Sequence, residues 1–184
     1  CWGYHEGGLL GDGVYPLGNG NDHAVAVKKS AERNPNPNDL TPVTDAVQVT
    51  VGQSVACYRN TQGGLSCWGS NHKKQLGLGD NRGGLARCTV QGQTMTCISH
   101  ALPTVLEHEV TDVSAGAHHV CAVVNGAVVC WGDNRNGQSR PGMQASTVHP
   151  TTVSGLDHVV NVESGSNHTC ALRQNGAVLC WGAN

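Results

Sequence analysis

The 184 residues contain no phenylalanine, and the whole aromatic complement is four Trp and three Tyr. A large core built on aromatic packing is thereby excluded, and short aliphatic side chains must fill the interior. Charge is scarce as well. Asp and Glu total 13 and Lys and Arg 11, for a formal charge of −2. Cations never concentrate beyond pairs such as Lys28-Lys29 and Lys73-Lys74, so the electrostatic footprint of nucleic-acid binding is missing. No apolar run approaches the roughly 20 residues that would cross a bilayer as a helix. The opening Cys1-Trp2-Gly3 has neither region of a signal peptide, and the chain reads as cut at both ends. Helical periodicity is also absent: the best candidate, Ala24 to Ala31, is short and meets the breakers Pro35 and Pro37. Nor is there a G-x-S-x-G elbow, a phosphate loop or an H-E-x-x-H pair. The expectation is a non-enzymatic protein without cofactor or metal.

Cysteine, by contrast, is plentiful. Nine are present, and eight fall into close pairs: Cys57/Cys67, Cys88/Cys97, Cys121/Cys130 and Cys170/Cys180. Cys1 is left over, and its partner is expected upstream. Pairs separated by eight or nine residues are unlike the C-x2-4-C knuckles of structural zinc sites, so disulfides are favoured over metal. Disulfides imply an oxidising compartment, surface or secreted, with the cytoplasm as the alternative.

Three of those pairs end in Cys-Trp-Gly, and so does Cys1. The four copies, at Cys1, Cys67, Cys130 and Cys180, are 66, 63 and 50 residues apart, which is internal repetition. Each period has one order: a proline, a short Val-rich strand closing on glycine (Gly52, Gly116, Gly165), then a hairpin between the two cysteines. The periods 1–66, 67–129 and 130–179 therefore form one array over 1–184, with a further period starting at 180. In Cys121-Ala-Val-Val-Asn125-Gly126-Ala-Val-Val-Cys130 the Asn-Gly dipeptide predicts a type I′ turn. Counting outward puts Val124 opposite Ala127 and Cys121 opposite Cys130. Three-residue turns ending at Gly63 and Gly176 predict the same facing register for Cys57/Cys67 and Cys170/Cys180. A two-residue turn at Gly92-Gln93 predicts it for Cys88/Cys97. Both faces of the strand Ala127 to Trp131 are apolar, so each sheet must be covered by other sheets. Two insertions break the pattern, near residues 19–39 and 85–100. They read as exposed loops, the second carrying the added hairpin, and loops of this kind are where specificity concentrates.

Gly165-Ser166-Asn167-His168-Thr169-Cys170-Ala171-Leu172, the turn Gly176, Cys180-Trp181-Gly182 and the tail Gln75-Leu76-Gly77-Leu78-Gly79-Asp80 resemble the regulator of chromosome condensation repeat family. The likeness is to its cysteine-bearing bacterial type. That resemblance implies an all-β, partial β-propeller, about three to four of a probable seven antiparallel four-stranded blades, with hairpins stapled by disulfides. It also implies that Trp2, Trp68, Trp131 and Trp181 pack between blades. Departures from the repeat are Lys74 at a glycine position, Ser139-Arg140-Pro141-Gly142 in place of a Leu-Gly step, and Val55 in place of histidine. His119 and His168 are expected to hydrogen-bond a neighbouring blade or loop. Asp12, Asn19, Asn21, Asp22, Asp80 and Asn81 read as turn formers rather than calcium ligands.

Fold does not choose among the family's diverse roles. The expected function is a protein-interaction scaffold, secreted or on a cell surface. It would present its insertions to a protein or glycan partner and stack on the remaining blades of a longer chain. The alternative is an exchange-factor-like regulator of a small GTPase.

Overall fold

The computed structural model describes residues 1, 8–13, 24–32, 35–80, 85–90 and 93–183. The strands are β1 (Lys28–Lys29), β2 (Thr41–Pro42), β3 (Ala46–Val51), β4 (Val55–Asn60), β5 (Leu65–Ser70), β6 (Ala86–Val90), β7 (Gln93–Pro103), β8 (Val110–Ala115), β9 (His119–Val124), β10 (Ala127–Gly132), β11 (Thr147–Thr152), β12 (Val159–Ser164), β13 (His168–Arg173) and β14 (Val178–Gly182). A 3₁₀ turn spans Pro37–Asp39. These strands form three sheets, and each sheet is a blade. The first runs β3-β4-β5-β7, with β6 added on β7 and β1-β2 at the far edge; the second runs β8-β9-β10-β11; the third runs β12-β13-β14.

The β9–β10 hairpin shows why the blades stack. Asn125 and Gly126 have φ of 50° and 75°, the left-handed pair that a type I′ turn requires. That turn sets Val124 opposite Ala127 and Cys121 opposite Cys130, as the sequence predicts. Alternate residues then serve opposite sides. Val120, Ala122, Val124, Val129 and Trp131 join the core between the first and second blades, while Cys121, Val123, Val128 and Cys130 join the core between the second and third. Each fully buried Val contributes about 1.5–3 kcal/mol of apolar burial. One hairpin thus stabilises two seams at once.

Neither insertion is simply an exposed loop. Residues 86–103 form the β6–β7 hairpin, and β7 pairs with β5 as the outer strand of the first blade. In the first insertion, Lys28–Lys29 pair with β2 and, at Lys29, with Ala101 of β7. Residues that have sheet edges available to them satisfy their backbone groups there rather than in water.

Candidate interaction surfaces on the blades

Three kinds of contact join the blades at their seams. The indole N–H of Trp68 donates to the Leu9 carbonyl at 2.8 Å, that of Trp131 to Gln75 at 2.9 Å, and that of Trp181 to Gln138 at 2.8 Å. The last two acceptors stand seven residues after the tryptophan of the preceding blade, and Leu9 stands seven after Trp2. Trp68 and Trp131 are fully buried, and Trp181 packs against the second seam. Trp2 lies outside the described residues. The second contact is a polar ladder along the edge strands β3, β8 and β12. The Asp112 carboxylate accepts from Gln48 Nε2 at 2.7 Å in the first blade, and from Asn161 Nδ2 at 2.9 Å and the Val162 N–H at 2.8 Å in the third. The third contact is His119 Nε2 to the Thr169 hydroxyl at 2.9 Å, between the second and third blades. Burial pushes the His119 imidazole down to about 4. His168, its counterpart one blade on, is exposed.

The glycine of Cys-Trp-Gly has a steric reason. Gly132 sits at φ 100°, and a Cβ there would stand 2.6 Å from the His118 carbonyl oxygen, which accepts the Asp133 N–H at 2.9 Å. Gly69 and Gly182 repeat the arrangement against Ser54 and Asn167.

All four cysteine pairs lie at disulfide distance. Cys57/Cys67, Cys121/Cys130 and Cys170/Cys180 face each other directly, with Cα atoms 4.0, 4.1 and 4.0 Å apart. Cys88/Cys97 does not. Val90 pairs with Gln93, so the connection is 91–92 rather than Gly92-Gln93, Cys88 stands opposite Met95, and Cys97 stands opposite Ala86. The bridge therefore runs diagonally, with Cα atoms 6.0 Å apart. Side chains alternate with period two, so this shift keeps both cysteines on one face, and the apolar pattern cannot tell the two registers apart. Cys97 also pairs with Ser70 of β5. Cys1 is a free, partly buried thiol.

The two insertions, far apart in sequence, meet on the flank of the first blade. His100 Nε2 bonds the Glu32 carbonyl at 3.0 Å and the Ser30 N–H donates to Ala101 at 3.2 Å, while Gly13, ahead of the first insertion, donates to Ser99 at 2.7 Å. Burial lowers the His100 pKa, opposed by its bond to Glu32. Below them Val27, Val43 and Cys1 cover Ala56, Tyr58, Trp68 and Ala101. Beside this small core β3 leaves Val47, Val49 and Val51 exposed at 51%, 61% and 63%, and Val49 and Val51 pair with Tyr58 and Ala56 on the same face. The sequence gives no sign of this union, because the contacts are mostly backbone to backbone. Of the acidic turn residues, Asp80 meets His149 across the first seam at 2.9 Å. Residues 19, 21, 22 and 81 lie outside the described residues. Among the described residues, no group of three or more His, Cys, Asp or Glu could hold a metal, and no helix is long and apolar enough to cross a membrane.

The sequence profile described as "Regulator of chromosome condensation (RCC1) repeat" matches residues 62–123, and a second of the same description matches 110–138 and 159–184. Among solved structures, yeast RCC1 (Prp20) bound to Kap60 is similar with a TM-score of 0.65 at 17% identity, over 90% of this chain and 36% of that one. Prp20p of Saccharomyces cerevisiae, described with its binding to Gsp1p and histones, gives a TM-score of 0.65 at 17% identity, over 100% of this chain and 39% of that one. The chain thus spans 36–39% of the length of the structures it resembles. At such identity the likeness speaks for the fold. Profile matches over more than half of the sequence, on blades joined by a repeating tryptophan contact, make this chain a member of the regulator of chromosome condensation repeat family.

Proposed function

We propose that the protein is a non-enzymatic interaction scaffold of secreted or surface type, which binds a protein or glycan partner through the flank of its first blade. The observation that carries this reading is the meeting of the two insertions there: the repeated tryptophans and the Asp112 ladder hold blades together, and described residues of both insertions share the flank of the first blade. Protein binding is the recorded behaviour of the yeast relatives, with Kap60, Gsp1p and histones. Four cysteine pairs at disulfide distance favour an oxidising compartment. The exposed Val47, Val49 and Val51 stripe suits a further blade stacked on the first.

A photo-crosslinker placed at Glu32 or Arg87, both exposed, tests the surface against one at Asn175 on the third blade. Adducts from the first two positions and none from the third are expected on the surface of producing cells; equal labelling at all three would sink the assignment. The second reading, an exchange-factor-like regulator, rests on the Gsp1p-binding relative. It predicts accelerated nucleotide release from a small GTPase, and the scaffold reading predicts none.

A further inference from the structure

We propose that the rim bearing the tails of the first and second blades docks an acidic, extended segment of a partner protein, anchored on Arg135, at a surface separate from the flank of the first blade. The sequence spreads its cations in ones and twos, and the antiparallel pairing gathers them. Val55 pairs with Gly69, His119 with Gly132 and His168 with Gly182. The ends of β5, β10 and β14, and the segments that follow them, therefore share one rim. Lys73, Lys74, Arg135 and Arg140 all belong to those tails. Of the carboxylates in the tails, Asp80 is bonded to His149 and Asp133 is fully buried. The hairpin turns occupy the opposite rim. Glu107, Glu109 and Asp157 lie there, because the N–H groups of Val110 and Val159 bond the turn residues Gly63 and Gly126.

Asp133 is what makes Arg135 an anchor. Its carboxylate accepts Nε at 3.0 Å and Nη2 at 2.9 Å. Burial pushes the Asp133 carboxyl up, and its bonds to Arg135 outweigh that, so it titrates below the usual carboxylate range. A buried acid thus fixes the plane of a guanidinium that is itself 62% exposed. Nη1 has no partner among the described residues, so its N–H groups remain for an incoming carboxylate. A fork held in place before binding has little order left to lose.

Beside Arg135 a cleft of about 540 Å³ opens between the tail of the second blade and the end of β14, lined also by Asn136, Met143, Gln144 and the backbone of Gly142 and Gly182. That volume is in the range of ligand sites. The side-chain amides of Asn136 and Gln144 make no hydrogen bond among the described residues, and an amide both donates to and accepts from a peptide backbone. Met143, 45% exposed, offers an adaptable apolar contact. Lys73 and Arg140 make no ion pair among the described residues, so the approach to the cleft carries unneutralised positive charge. Trp68, Trp131 and Trp181 are all engaged at seams. They provide no platform for stacking a sugar ring, which favours a peptide over a glycan.

An array of short synthetic peptides, matched in Leu content and graded in Asp and Glu, probed with the labelled 184-residue chain, tests the surface. The best peptide is then titrated by fluorescence anisotropy. Retention should rise with the acidic count and fall with added salt. Affinity should drop about tenfold in Arg135→Gln, which removes charged hydrogen-bond donors. It should drop about threefold in Lys73→Gln or Arg140→Gln and stay unchanged in Lys28→Gln, an equal charge loss on the flank. Should Arg135→Gln fail to fold because Asp133 loses its partner, backbone amide shifts of the parent protein report directly: the peptide must move residues 134–144. No preference for acidic peptides over their Asn and Gln counterparts, equal loss in Lys28→Gln, or shifts confined to residues 28–32 and 93–103 would overturn the proposal. Binding of a sulfated disaccharide with no binding of any peptide would overturn it as well.

Discussion

Replacing Asp112 by alanine should uncouple the blades. Its carboxylate is the shared acceptor for three donors drawn from the neighbouring blades, and hydrogen bonds to a charged acceptor contribute about 1.5–3 kcal/mol each when well buried. Asp112 is partly exposed, which sets each bond below that range. Taking about 1 kcal/mol per bond gives a loss of about 3 kcal/mol. Asp112→Asn separates charge from geometry. Its oxygen can keep the bonds to Asn161 and Val162, but its amide faces Gln48 Nε2. Rotating the Gln48 amide would sacrifice its bonds to the Val113 carbonyl at 3.2 Å and Arg59 Nε at 3.3 Å. A loss of about 1 kcal/mol is expected. Urea unfolding followed by the fluorescence of buried Trp68 and Trp131 measures both. A loss below about 0.5 kcal/mol for the alanine variant would refute the idea that this ladder joins the blades.

Other perturbations probe separate features. Lys74 holds φ 68°, where the equivalent Gly137 has 76°, so Lys74→Gly should gain about 0.5–1 kcal/mol by relieving the left-handed conformation; any loss in thermal or urea midpoint would contradict that. Gly132→Ala places a methyl 2.6 Å from the His118 oxygen and should cost about 3 kcal/mol or more, read in the same urea assay. For His119, a folded pKa of about 4 against an ordinary 6.5 means the unfolded chain binds a proton the folded one refuses. Stability is then full above pH 6.5 and falls by up to about 3 kcal/mol as pH drops toward 4. A His119→Gln variant should flatten that slope, and an unchanged slope would assign it to other groups.

Much of the fold is legible from local chemistry. Asn125-Gly126 admits one turn, the turn admits one register, and the register faces Cys121 with Cys130. Apolar residues on both faces of β10 then demand a blade on each side. Legibility ends where local rules are degenerate. A two-residue shift at Cys88/Cys97 preserves every side-chain face, so side-chain alternation does not select it. Meeting of the insertions is invisible for a related reason: Ser30 and Glu32 contribute backbone groups, which every residue shares.

Disulfide mapping of the unreduced protein addresses the central claim, a stack of hairpins each stapled across its own strands. Alkylation under denaturing conditions should find one free thiol, at Cys1. Proteolysis and mass spectrometry should recover Cys57–Cys67, Cys88–Cys97, Cys121–Cys130 and Cys170–Cys180. Nine free thiols, or bridges that cross from one hairpin to another, would contradict it.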